Sequence, residues 1–415
     1  MRTPPFPARR TTAPLRVLLL LGNWVVGGAE RVAVHLMNAL PAHWDVRLGL
    51  LHAGTAWMDE LDPERVLVAP QAAARFRYDR PNADLFRAGT LVSGALHGPR
   101  ALRAMIRQSR PDVVVSFLKG TAILTWLALM GLRERPRWIA REGNNVFATA
   151  FEETPHLLMR RASLGLTAMA YRRADAVLTN ARDMARDLVS AFALDPATVR
   201  TIHNPVDIDR VQRLARGPLR IHSGRPYLLA AGRLEYQKGH EILLAAFAAS
   251  RARTTHDLIV LGEGSRAAEL RALAGSLGLS ERVRFVGVER NPHAWSARAD
   301  LFVMPSRWEG FPNAAAEAMA VGTPLLLADC DYGPRELTGN GRFGTLVPVD
   351  DAAALAAAMD RLLANPDRRH ARAAAALDWV RQFSVDTIVG RYAELIAAVA
   401  EPRPCRTPAL TLSPA

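Results

Sequence analysis

Short continuous apolar runs alternate along this chain with stretches whose apolar residues recur at helical spacing. Leu15–Leu21, Asp45–Leu51 and Asp112–Phe117 predict buried strands, because each is short and nearly unbroken in apolar character. Between them Ala29–Leu40 predicts a helix, and Ala95–Ser109 sets Leu96, Leu102, Met105 and Ile106 on one helical side. Trp138–Arg141 and Ala176–Thr179 predict two further strands, while the polar, irregular residues 70–90 predict a loop over a cleft.

The pattern pauses at His203–Asp207 and at the Arg/Gly/Pro-rich Arg213–Pro226, then restarts. Strands are predicted at Tyr227–Ala231, Asp257–Leu261, Val283–Val286, Leu301–Met304 and Pro324–Ala328. Helices are predicted at Glu241–Ser250, Arg266–Leu277, Pro312–Val321, Ala352–Leu363 and Asp367–Ala400, the last broken near Phe383-Ser384. Two α/β series of this kind predict two parallel sheets, each covered on both faces, with sites beyond the carboxyl ends of the strands. The expected domains are 15–212 and 225–383, with 384–400 a C-terminal helix that crosses back to the first domain. Residues 1–14, with four prolines, and 401–415 are expected to be disordered.

Composition narrows the class. A chain of 415 residues is too long for one core, and 49% apolar with 22% charged residues is ordinary for a globular protein. The 53 basic and 40 acidic residues leave +13, a field that attracts nucleotides, anionic lipid or nucleic acid. No zinc spacing, RNA-binding aromatic signature or helix-turn-helix is visible, so nucleic acid is not an expected partner and the acidic face of a membrane is the better one. Two scattered cysteines, Cys330 and Cys405, make no disulfide framework and fit a reducing compartment. The apolar run Val17–Leu21 passes into Gly22–Gly28 without a cleavage pattern and is expected to be a strand rather than a signal peptide. Thr121–Leu132 is too short to span a bilayer.

Candidate chemistry concentrates in the second series. In Pro305–Pro324, Glu309 and Glu317 stand eight positions apart, separated by a Gly310-Phe311-Pro312-Asn313 turn that leads into an alanine-rich helix. Such a turn aims unpaired backbone N–H groups and the positive end of a helix dipole at one spot, which suits a phosphate. The two carboxylates fit general acid/base work, or else incidental charges on a capped surface helix. About seventy positions earlier, Arg233 and Lys238 flank a strand end in Ala231–Gly239, where two cations can neutralise a diphosphate leaving group. Gly27-Gly28 after the first strand allows close backbone approach to a phosphate or sugar, and is not a Walker loop because no Gly-Lys-Ser/Thr follows. Gly262-Glu263-Gly264 opens a G-x-G-x-x-A pattern, yet no acid stands at the end of the next strand as a dinucleotide enzyme would require.

Together the run Pro305–Pro324 and the Arg233…Lys238-Gly239 element resemble the donor site of family 4, group 1 retaining glycosyltransferases of bacterial surface-polysaccharide assembly. The resemblance is strong from Tyr227 to Asp351 and diffuse in the first half. It implies a GT-B architecture, two Rossmann-like domains facing across a cleft. It implies that Arg233 and Lys238 stabilise the departing diphosphate, that Glu309 contacts the transferred sugar and that Glu317 holds the ribose. Gly27, Gly28, Gly262, Gly264, Phe311, Pro312 and Asn313 would complete the donor site. Arg141, Glu142 and Asn144, in a strand-end segment that more often begins with serine, would face the acceptor.

Asp329-Cys330-Asp331 has the shape of a metal site, but it falls in a segment of the family that generally needs no bound metal, so no metal and no cofactor are expected. The implied substrates are a nucleotide sugar, UDP-linked, and a lipid-linked or oligosaccharide acceptor. The location implied is cytoplasmic, at the inner face of the plasma membrane. Leu157–Arg173, apolar with arginines at both ends, is the segment expected to touch an anionic membrane. A nucleotide-sugar epimerase and a non-enzymatic assembly factor are the rival readings.

Overall fold

A computed structural model describes residues 14–24, 27–69, 88–153, 156–219 and 224–401. The predicted disordered ends lie almost wholly outside these residues, as does Cys405. So does the predicted loop at 70–87, whereas residues 88–90 open the helix Ala88–Ser109 rather than continuing a loop.

The first domain holds seven strands: β1 (Arg16–Asn23), β2 (Asp45–His52), β3 (Val66–Val68), β4 (Val113–Phe117), β5 (Arg137–Glu142), β6 (Ala176–Thr179) and β7 (Val199–Thr201). All pair in parallel, in the order β3-β2-β1-β4-β5-β6-β7. The second domain holds β8 (Tyr227–Ala231), β9 (Asp257–Leu261), β10 (Val283–Gly287), β11 (Leu301–Met304), β12 (Leu325–Ala328) and β13 (Thr345–Val347). These are parallel too, in the order β10-β9-β8-β11-β12-β13.

Each sheet is covered on both faces, which explains the unbroken apolar runs. In β1, Leu18 and Leu20 enter one core while Val17, Leu19 and Leu21 enter another, as a period of two requires. In the second domain Leu229, Phe302 and Leu327 lie on one face, and Leu228, Val303 and Leu326 on the other. The strands absent from the sequence expectations, β3, β7 and β13, have three residues each at or near a sheet edge, too few to show a period.

Strand order reverses between β1 and β4 and between β8 and β11. At these switch points the connections diverge, leaving a crevice at the carboxyl ends. The chain returns to the first domain at its end: helix Val385–Ala400 buries Ile388, Val389, Tyr392 and Ile396 in the same core as Leu19 and Val115. No helix among the described residues is long and apolar enough to cross a membrane. The apolar stretch at 121–132 falls mostly within helix Leu118–Leu129, where Ala122, Ile123 and Leu124 are buried in the first domain.

Candidate active site

A cavity of about 1020 Å3, open mouth included, lies where the two switch points face each other. Its lining starts at strand ends: Gly27 and Gly28 follow β1, Leu118 follows β4, Gly232 and Arg233 follow β8, and Met304 ends β11.

The second-domain wall interlocks two distant motifs. Lys238 Nζ donates to Glu309 Oε1 at 2.6 Å. Gln237 Nε2 donates to the Trp308 carbonyl at 2.9 Å, and Arg307 N to the Gln237 carbonyl at 2.8 Å. Arg233 Nη2 donates to Gln237 Oε1 at 2.9 Å, so an amide rather than a carboxylate holds this cation. Gly239 makes the interlock feasible: its φ is +62°, and a Cβ there would stand 2.3 Å from the Pro305 carbonyl oxygen. Gly262 and Gly264 do not line the cavity. They sit behind it, where side chains would collide with the carbonyls of Gly232 and Leu234 at 2.0 and 2.4 Å. Their role in the structure is to let the turn after β9 pack on the turn that carries Arg233.

Helix Asn313–Ala320 starts at the cavity, with Pro312 just ahead of its first residue. Phe311, Pro312 and Asn313 all line the cavity, and the first domain meets them closely. Asn204 Nδ2 donates to Asn313 Oδ1 at 2.9 Å, and a Cβ on Gly28 would lie 2.6 Å from Asn313 Nδ2. A Cβ on Gly310 would lie 1.9 Å from the Gly143 carbonyl oxygen, so the two domains touch backbone to backbone.

Glu317 parts company with Glu309. It lies outside the cavity lining with its side chain 30% exposed, and His293 Nδ1 is 3.8 Å away. Burial lifts its carboxyl from 4.5 to about 7 against the opposing pull of Arg31 and Arg210. The same desolvation, with Arg210 and Arg31 adding to it, holds His293 down at about 4. Beside them Glu60 accepts from Arg31 Nη1 at 2.9 Å and from Arg210 at 2.5 and 2.9 Å, tying the first domain to helix Ile208–Ala215. Burial works to raise the Glu60 carboxyl, but the hydrogen bonds from Arg210 and Arg31 outweigh it and bring it below the usual range.

On the first-domain wall Arg141 and Asn144 line the cavity and Glu142 does not. The Glu142 carboxylate turns inward: Oε1 accepts from Gly143 N at 2.8 Å and Asn144 N at 3.0 Å, and Oε2 from Tyr171 Oη at 2.7 Å. Its burial pushes the carboxyl up, and it shapes the loop rather than facing the cleft. Glu30, Asn204 and Gln237 also line the cavity. In the sequence Asn204 carries only the signal of a domain boundary, and Gln237 and Glu30 are flanked by motif residues without a signal of their own. Asp329 is held by Arg335, and among the described residues no group of three or more His, Cys, Asp or Glu is placed to hold a metal ion.

Two parallel-sheet Rossmann-like domains that face each other across a cleft define the GT-B class of α/β proteins. Residues 26–210 match the family model described as Glycosyltransferase Family 4, and residues 211–379 that described as Glycosyl transferases group 1. The chain belongs to the family 4, group 1 glycosyltransferases.

The lipopolysaccharide core biosynthesis glycosyltransferase LpsE of Rhizobium meliloti is 28% identical over 90% of this chain and 96% of LpsE. The N-acetylgalactosamine-N,N'-diacetylbacillosaminyl-diphospho-undecaprenol 4-alpha-N-acetylgalactosaminyltransferase of Campylobacter jejuni is 32% identical over 206 residues, 50% of this chain. The match spans 55% of that relative's length. In fold, Anabaena Alr3699/HepE, solved with UDP and glucose, has a TM-score of 0.73 at 19% identity over 92% of this chain and 100% of its own. WaaG, a glycosyltransferase involved in lipopolysaccharide biosynthesis, has a TM-score of 0.70 at 17% identity over 92% and 99%.

Proposed function

We propose that the protein moves a sugar from a UDP-linked donor, with retention at the anomeric carbon, to a lipid-linked or growing polysaccharide acceptor in surface-glycan assembly. The observation that carries this reading is the convergence of Arg233, Lys238, Glu309 and the start of helix Asn313–Ala320 on one cavity wall. Cations and a helix N-terminus at one place suit a diphosphate on which charge grows as the glycosidic bond breaks. The names of the relatives support the choice of substrates: HepE is solved with UDP, and the Campylobacter enzyme's name states a diphospho-undecaprenol acceptor.

In the proposed reaction the bond from the anomeric carbon to the diphosphate oxygen breaks and one to the acceptor hydroxyl forms on the same face. The hydroxyl proton passes to the departing phosphate. Arg233 and Lys238 balance that phosphate, Glu309 holds the donor sugar and Glu317, on the flank, the ribose. No metal takes part in this scheme, so EDTA should leave turnover unchanged.

A screen of UDP-, GDP- and ADP-sugars for thermal protection tests the donor, because binding to the native state alone raises Tm. Proton NMR of the product tests retention. If no nucleotide sugar protects, the donor reading is wrong; an epimerised UDP-sugar formed in the absence of acceptor would favour an epimerase.

The acceptor reading also places the protein at the cytoplasmic face of an anionic membrane. Phe151, Leu157 and Leu158 are exposed next to Arg160, whose guanidinium lies 4.3 Å from the Phe151 ring centroid, and Arg161. Apolar side chains rimmed by arginine suit an acidic lipid surface. Flotation with acidic liposomes should be lost in Arg160→Glu/Arg161→Glu, and equal flotation of both proteins would dismiss the contact.

A further inference from the structure

Among the described residues Arg141 is the one cavity-lining cation of the first domain, and no carboxylate is paired with it. The side chain is 1% exposed. Nε donates to Tyr392 Oη at 2.7 Å, Nη2 donates to Asn204 Oδ1 at 2.6 Å, and the guanidinium lies 4.9 Å from the Phe117 ring centroid. Among the described residues Nη1 has no hydrogen-bond partner and no carboxylate forms an ion pair with Arg141. The adjacent Glu142 is the obvious candidate, yet its carboxylate is spent on Tyr171, Gly143 N and Asn144 N.

A guanidinium does not discharge at any ordinary pH, so burial without a counter-ion is costly, and every N–H left unpaired adds to the cost. Here the neutral partners Tyr392 and Asn204 fix the plane of the group and leave Nη1 unpaired on a residue that lines the cavity. Next to that nitrogen stands Gly143, where a Cβ would come within 2.8 Å of Nη1. Glycine keeps the approach open. An arginine at a cavity wall, held by neutral groups, buried and with one nitrogen unpaired is suited to an anion that arrives from outside.

We infer that Arg141 Nη1 is the receptor for a phosphate group carried by the acceptor. The inference rests on the proposed sugar transfer for the word acceptor, but the anion site itself does not depend on it. A phosphate offers several oxygens to the two N–H groups of one nitrogen and carries the charge that the site lacks. The donor diphosphate has Arg233 and Lys238 on the second domain, so a separate cation on the first domain serves a second phosphate. For an acceptor attached through a phosphate, this contact would set where its reacting sugar lies.

The experiment uses the full chain and two probes, UDP and methyl phosphate, by calorimetry on wild type, Arg141→Gln, Arg141→Lys and Gly143→Ala. UDP affinity should stay within about twofold in all four. Methyl phosphate should bind the UDP-saturated wild type, weaken at least tenfold in Arg141→Gln and Gly143→Ala, and less in Arg141→Lys, which keeps the charge and loses the fork. Gly143→Ala keeps Arg141 and its Tyr392 contact, so it answers the question if Arg141→Gln fails to fold. Equal methyl phosphate binding in wild type and variants would overturn the site. A tenfold loss of UDP affinity in Arg141→Gln would assign the arginine to the donor instead. Acetate binding more tightly than methyl phosphate would make the ligand a carboxylate and overturn the phosphate. Failure of UDP to bind the wild type, with methyl phosphate still lost in the variants, would sink the donor reading and leave this site standing.

Discussion

Lys238 Nζ sits 2.6 Å from Glu309 Oε1, joining two motifs that are seventy-one residues apart. Both groups are largely buried, so removing one would leave the other as a buried charge without its partner. Lys238→Ala should lower kcat about 10²–10³-fold, the usual cost of losing one transition-state donor, with a smaller change in donor KM. Glu309→Gln alone should also impair turnover. The double variant should cost less than the product of the singles, because the pair acts as a unit. Independent, multiplicative losses in UDP release would mean that the contact has no part in catalysis.

Gly310 faces the Gly143 carbonyl at a distance that no Cβ tolerates. Gly310→Ala should hold the domains apart at the cavity floor, reduce turnover at least about 10²-fold by misplacing groups across the cleft, and leave the Tm nearly unchanged. A fully active Gly310→Ala protein would show that this approach is not needed for the reaction.

Glu317 gives a pH dependence with a definite sign. Its carboxyl is raised from 4.5 to about 7 in the folded chain, so its contribution to stability is complete below pH 4.5 and is lost as pH rises through 7. Without ligand, Glu317→Gln should flatten the fall in Tm between pH 5 and 8. An unchanged slope would mean that Glu317 titrates normally.

Arg210 grips Glu60 with two nitrogens while Arg31 shares the same carboxylate. Arg210→Met should cost about 1–2 kcal/mol, since the bridge is only partly exposed and charge-assisted. It should also broaden the distribution of interdomain distances seen by small-angle scattering. A scattering curve identical to wild type would show that Glu60–Arg210 does not restrain the domains.

Helix Val385–Ala400 closes the first domain's core with Ile388 and Ile396, both fully buried. Ile388→Ala should destabilise by about 2–5 kcal/mol. The effect should be read as faster hydrogen exchange in β1 and β4 of the first domain. Loss of protection confined to the second domain would contradict this packing.

Much of the fold was legible because buried parallel strands are continuous apolar runs: β6, β8, β9 and β11 stand where their runs predict. The strands β3, β7 and β13 were not, since three residues carry no period and their place depends on the strand beside them. Within the site, Arg233, Lys238, Glu309 and Phe311–Asn313 share one cavity, all between a strand end and the first residue of the next helix, where local sequence dictates both turn and helix start. Glu142 shows the opposite case. Adjacent in sequence to Arg141, it points to the other side of the strand, and the presence of Tyr171 turned it inward.

Local sequence sets the elements and the residue types at their ends, because periodicity, glycine and proline act over a few residues. It also marked the family, through two short motifs with specific spacing. Which of those residues meet depends on the packing of distant segments. Glu309 went to Lys238 and Glu317 to His293, although one helix start separates them. Asn204 and Tyr392, far apart in the chain, became the holders of Arg141. Such pairings are fixed by how two sheets and one returning helix pack, an outcome of whole surfaces that no local stretch of sequence contains.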